Sequence, residues 1–151
     1  MPLIRIETFI GATPETCFDL ARSVEAHVGS TAKTGERVVG GKTTGLLELG
    51  DEVTWEATHF GIKQRLTSKM TKFDRPHMFE DCMVRGAFRS FSHVHEFSEE
   101  RGGTRMVDLF QFESPLGILG SIANALFLTR YMHAFLEERA AYLKAEAERL
   151  R

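Results

Sequence analysis

Between residues 53 and 114, apolar and polar side chains alternate with a period of two. One set reads Val53, Trp55 and Ala57, then Leu66 and Met70, then Phe91, His93, His95 and Phe97, then Met106, Asp108, Phe110 and Phe112. The interleaved set is Thr54, Glu56 and Thr58, then Lys63, Arg65, Thr67 and Lys69, then Ser90, Ser92 and Glu96, then Arg105, Gln111 and Glu113. Successive side chains of a strand point to opposite faces, so the pattern predicts a sheet with one wet face and one turned inward. The inner set is apolar and aromatic, yet it carries two histidines and an aspartate.

The pattern predicts strands over about 51–60, 62–74, 78–85, 88–98 and 104–114. Gly61, Asp74-Arg75-Pro76, Gly86 and Glu100-Arg101-Gly102-Gly103 punctuate them. Connections this short allow only antiparallel neighbours. Before them, residues 3–10 alternate as a first strand, and Thr13-Pro14-Glu15 reads as a helix start with a hydroxyl cap, proline at the first position and acid in the first turn. A second short helix is expected over Val24–Val28, and a short strand over Glu36–Val39. After Ser114-Pro115 one helix is predicted to about Leu150; at ~1.5 Å per residue it is a rod of about 50 Å, long enough to cross the sheet.

Glycines 29, 35, 40, 41, 45 and 50 invite a phosphate-loop reading. The Gly41-Lys42-Thr43 triplet would need a glycine where Glu36 stands, so that reading fails. A turn-rich segment at the border of a pocket is the expectation instead.

Composition narrows the class. The 151 residues are 42% hydrophobic and 26% charged with a net charge of -2, which fits one globular domain over 1–151 and offers no basic field for nucleic acid or anionic membrane. Arg5 and Glu7 interrupt the N-terminal strand, which lacks the apolar core of a signal peptide. The apolar run Leu116–Leu128 falls short of the ~20 residues that span a bilayer, so no stable membrane insertion is expected. Cys17 and Cys82 have neither CxxC nor metal spacing and read as inert thiols of a cytoplasmic protein.

Particular stretches resemble a known superfamily. Ile10-Gly-Ala-Thr-Pro-Glu-Thr-Cys-Phe18 is similar to its strand-to-helix junction, and Phe79-Glu-Asp81, Gly86-Ala-Phe88 and His93-Val-His95-Glu-Phe97 are similar to the "F-x-D … G-x-F … H-x-H-x-F" pattern of a bacterial subgroup. Gly103-Thr-Arg-Met-Val-Asp108 and Ser114-Pro-Leu-Gly117 match that subgroup too. With the element order, these residues resemble the helix-grip fold of the START and SRPBCC superfamily, which includes polyketide cyclases, plant allergens and lipid-transfer domains. The resemblance implies an α+β fold in which about seven curved antiparallel strands grip a long C-terminal helix around an apolar cavity. It implies no defined catalytic set, because one fold hosts many functions.

His93 and His95 stand two apart and share a face, with Asp108 of the following strand at the same parity. A three-residue hairpin turn at Gly86 sets Asp81 opposite His93, and a two-residue turn sets Glu80 there. Either carboxylate could orient an imidazole for acid–base work, so His93, His95, Asp81 and Asp108 are the candidate catalytic residues. The competing explanation is structural, because a buried carboxylate needs a partner in any case. A metal site from His59, His93, His95 and Asp108 is a weaker alternative, and nothing in the sequence calls for a cofactor. A nucleophile is not indicated, since there is no GxSxG elbow.

The expected ligand-binding lining is Trp55, Gln64, Leu66, Phe79, Phe91, His93, His95, Asp108, Phe110 and Phe112, with Leu119 and Ala123 from the helix. Aromatic walls with a few converging polar groups describe a small-molecule pocket. The expected partner is a hydrophobic small molecule such as a lipid, polyketide, aromatic metabolite or quinone. A cyclase, dehydratase or hydrolase is the alternative. Leu116–Leu128 is apolar nearly all round and reads as packing plus lid, or as a contact for a partner or a homodimer. Glu137, Glu138 and Arg139 read as solvated surface.

Overall fold

The computed structural model describes residues 2–86, 88–113 and 121–150, the last segment without the side chains of 121–125. The elements are β1 (Leu3–Ile10), α1 (Pro14–Ala21), α2 (Val24–Ser30), a short 3-10 turn (Ala32–Thr34), β2 (Arg37–Gly41), β3 (Glu52–His59), β4 (Ile62–Asp74), β5 (Met78–Arg85), β6 (Ser90–Glu100), β7 (Gly103–Glu113) and α3 (Ser121–Leu150). The strands form one seven-stranded antiparallel sheet in the order β1-β7-β6-β5-β4-β3-β2. This is the α+β arrangement expected from the alternation. The second strand is displaced slightly from its expected place, to Arg37–Gly41. The start expected for the long helix, 114–120, lies outside the described residues.

Local chemistry accounts for the boundaries. Thr13 caps α1 by accepting the Thr16 N–H at 3.3 Å with Pro14 behind it, and Ser23 caps α2 by accepting the Ala26 N–H at 3.1 Å. Two hairpins close on residue pairs with positive φ, Phe60-Gly61 (55° and 73°) and Arg101-Gly102 (53° and 78°). That sign pattern matches the right-handed twist of the flanking strands.

The interior is packed at one end. Phe18 of α1 is fully buried and meets Phe73, Phe79 and Phe97 edge-on, with ring centres 5.2–5.4 Å apart. From α3, Met132, Leu136, Ala140, Leu143 and Ala147 follow the helical repeat and are buried. On the outer face Glu56 is nevertheless buried, beneath Arg37 and Arg65 at 2.6 and 2.9 Å. Their guanidinium groups hold its carboxyl down at about 2.

Candidate functional site

The cavity follows from where the long helix rests. The close backbone approaches of α3 are to β1, α1 and α2, while the sheet curves away beneath it towards β3–β6. The space left over the inner face is a cavity of about 400 Å³. Trp55 and Ala57 of β3, Gln64 and Leu66 of β4, Phe79 of β5, Phe91 of β6 and Phe110 of β7 line it, with Leu128, Met132, Phe135 and Leu136 of α3 above. Phe60, Phe127 and Tyr131 meet at its edge, the Phe60 ring 5.2 Å from Phe127 and 4.6 Å from Tyr131. The turn-rich segment before β3 supplies Leu47 and Asp51 to the border. Of the expected lining, Asp108 and Phe112 lie behind the wall rather than in it, and Leu119 and the Ala123 side chain fall outside the described residues.

Polar groups converge on β5, β6 and β7. Asp81 is opposite His93 and His95 is opposite Asp108, so the register follows the first of the two alternatives. The hydrogen bonds run diagonally instead. His93 Nε2–H donates to Asp108 Oδ1 at 2.9 Å, and His95 Nε2–H donates to Asp81 Oδ1 at 2.8 Å. His95 Nδ1 lies 3.2 Å from the same Asp108 oxygen but out of hydrogen-bond alignment, the one such buried side-chain atom among the described residues. The imidazoles stack at 3.7 Å, and His95 stacks in turn on Phe79 at 4.1 Å.

These contacts separate the two histidines. Burial, reinforced by the neighbouring His95 charge, pushes His93 down to about 4 against the pull of Asp108. For His95 burial acts the same way, but the flanking carboxylates of Asp108 and Asp81 outweigh it and raise the value. Burial opposes ionisation of both aspartates as well, and their histidine hydrogen bonds overcome it, lowering Asp108 and Asp81. At neutral pH His93 is therefore neutral, and His95 is the more readily protonated of the two. Because a carboxylate only accepts, the His93 proton sits on Nε2, leaving Nδ1 with an open lone pair. His93 itself lines the cavity.

Arg139 corrects the sequence expectation of a solvated surface residue beside Glu137 and Glu138. It is 5% exposed, lines the cavity, and its Nη2 donates to Ala21 O at 2.9 Å. Glu137 pairs with His133 and Glu138 with Lys33, as surface residues do. Arg139 follows Met132 by seven residues and Leu136 by three, and this spacing on the buried stripe is the signal for its placement.

His59 does not join the other histidines. Its Nδ1 pairs with Tyr131 Oη at 2.6 Å near the cavity edge, and burial lowers its basicity. Among the described residues the potential metal-ligating group is Asp81, His93 and His95, with ligand atoms within 4.8 Å of one another. Both Nε2 atoms there already face carboxylates. A second polar pair, His27 and Glu36 at 2.6 Å, lies on the cavity wall with His27 stacked on Trp55 at 4.1 Å. Sequence reasoning missed it because the two residues come from separate elements. Burial raises both cysteine thiols away from the reactive thiolate.

No family model matches the sequence, and no curated protein does either. Solved structures do. A protein of Thermus thermophilus superposes with a TM-score of 0.74 at 21% identity, over 97% of this chain and 99% of that one. The ginseng major latex-like protein 151 from Panax ginseng gives 0.66 at 13%, over 97% of both chains. The di-domain ARO/CYC StfQ from the steffimycin biosynthetic pathway gives 0.78 at 13%, over 97% of this chain and 50% of its own. The chain has the helix-grip fold. At these identities the likeness carries the fold alone. No helix among the described residues is long and apolar enough to cross a membrane.

Proposed function

We propose that this protein binds a hydrophobic small molecule in the cavity between the sheet and α3. The observation that carries the reading is the cavity itself: about 400 Å³, walled by aromatic and aliphatic side chains with polar groups set among them. Small-molecule sites have this size and composition. Burial supplies the affinity at roughly 25 cal/mol per Å² of apolar surface, and His93 and Arg139 supply orientation. Ligands of lipid, polyketide, aromatic or quinone type fit that description.

Trp55 is the only tryptophan and lines the cavity, so its emission reports occupancy. Titration with polycyclic aromatic and acyl ligands is expected to quench or shift it saturably. An emission spectrum indifferent to every such ligand would remove the reading.

One observation favours acid–base chemistry as a second reading. His93 is neutral, with its Nε2 proton held by Asp108 and Nδ1 open, the state a general base needs. Such a base would take a proton from an acidic position beside a carbonyl in a cyclase- or dehydratase-type step. His93→Gln would abolish turnover while leaving binding in place, and unchanged turnover would exclude this role.

A further inference from the structure

Arg139 has more donors than the protein uses. A guanidinium carries five N–H groups. Nη2 bonds Ala21 O at 2.9 Å, and the nearest carboxylate oxygen, Asp108 Oδ1, is 3.8 Å from Nη1, beyond hydrogen-bond distance. Among the described residues no other hydrogen bond reaches the side chain. Nε and Nη1 are not among the fully buried unpartnered atoms of the described residues. Arg139 is 5% exposed and lines the cavity, which is where a ligand could meet these donors. Donors left unmet in a low-dielectric site are costly, and an acceptor on the ligand relieves the cost.

The surrounding charge restricts the kind of acceptor. Around Arg139 stand Asp108 on β7, His93 and His95 on β6 and Asp81 on β5. Two carboxylates therefore already stand at this side of the cavity, with Asp108 Oδ1 only 3.8 Å from Nη1 and Asp81 in the lining. A ligand carboxylate would add a third anion beside these two. A carbonyl oxygen adds an acceptor without a charge.

We propose that Arg139 anchors the ligand by donating to a neutral carbonyl oxygen, so that the cavity selects apolar ketones or quinones over hydrocarbons and carboxylates of similar shape. The proposal rests on the small-molecule reading above and names the ligand class within it. A hydrogen bond from a charged donor is worth roughly 1.5–3 kcal/mol, which corresponds to about tenfold or more in affinity.

The test is equilibrium dialysis at pH 7 with fluorenone, fluorene and a fluorene carboxylate. Wild type is expected to hold fluorenone about tenfold tighter than fluorene, and the carboxylate more weakly than fluorenone. Arg139→Met keeps the apolar stem and is expected to reduce the ketone preference to within about twofold, with fluorene affinity retained. Arg139→Lys keeps the charge, protects the fold if the methionine variant unfolds, and is expected to lower fluorenone affinity several-fold because the fork is lost. A ketone preference that survives in the folded variants would overturn the anchor, and a carboxylate bound as tightly as the ketone would overturn the choice of a neutral acceptor. Binding of none of the three to wild type would overturn the small-molecule reading itself.

Discussion

His93 is expected to make this protein acid-labile over a defined window. In the unfolded chain its imidazole takes up a proton near 6.5; in the fold, burial beside His95 delays that step to about 4. The unfolded state therefore binds more protons between these values, and stability falls as pH falls through them. The gap between 6.5 and about 4, at roughly 1.36 kcal/mol per pH unit, gives a loss of about 3 kcal/mol between pH 7 and pH 4. His95, whose value is raised, contributes stability that is fully present below 6.5 and is lost only as pH rises above that. The lowered Asp108 and Asp81 lose their contribution only below about 3.8. His59 acts in the same direction as His93, so the comparison must isolate one residue. Urea unfolding at intervals from pH 7 to 4, followed through Trp55 emission, is measured for wild type and His93→Gln. Wild type is expected to decline steeply and the variant to lose about 3 kcal/mol less over the same range. Parallel pH profiles for the two proteins would refute the claim that His93 is held neutral by burial.

Two further outcomes test the packing. Ala57 lines the cavity, so Ala57→Leu is expected to change stability by less than about 1 kcal/mol while weakening ligand binding; a loss of roughly 1–3 kcal/mol in thermal or urea unfolding would mean that the site is packed core. Phe18 is fully buried at the solid end, and Phe18→Ala is expected to cost about 3–5 kcal/mol in the same assay, with a loss under about 1 kcal/mol contradicting the division into packed and open ends.

The sheet was legible because alternation reports burial directly: Trp55, Phe91, His93 and Phe110 share a parity, and their neighbours in sequence face water. Turn pairs such as Phe60-Gly61 and Arg101-Gly102 then leave antiparallel pairing as the only geometry. The site was legible only in part. Register placed Asp81 opposite His93, but ladders determine Cα partners, not side-chain torsions, and the hydrogen bonds cross to the diagonal neighbours. Arg139 was hidden by its company, since a run of three charged residues reads as a wet helix face until the spacing to Met132 and Leu136 outweighs it. The His27–Glu36 pair depends on how α2 meets the chain before β2, which no local pattern encodes.

The central claim is that the cavity exists to be filled. Native mass spectrometry of freshly purified protein, followed by organic extraction of what it carries, tests that claim most directly. A one-to-one adduct of defined mass, extracted as an apolar compound and displaced from the Ala57→Leu variant, is the predicted result. Wild type that carries nothing and takes up no apolar ligand when challenged with excess would contradict it.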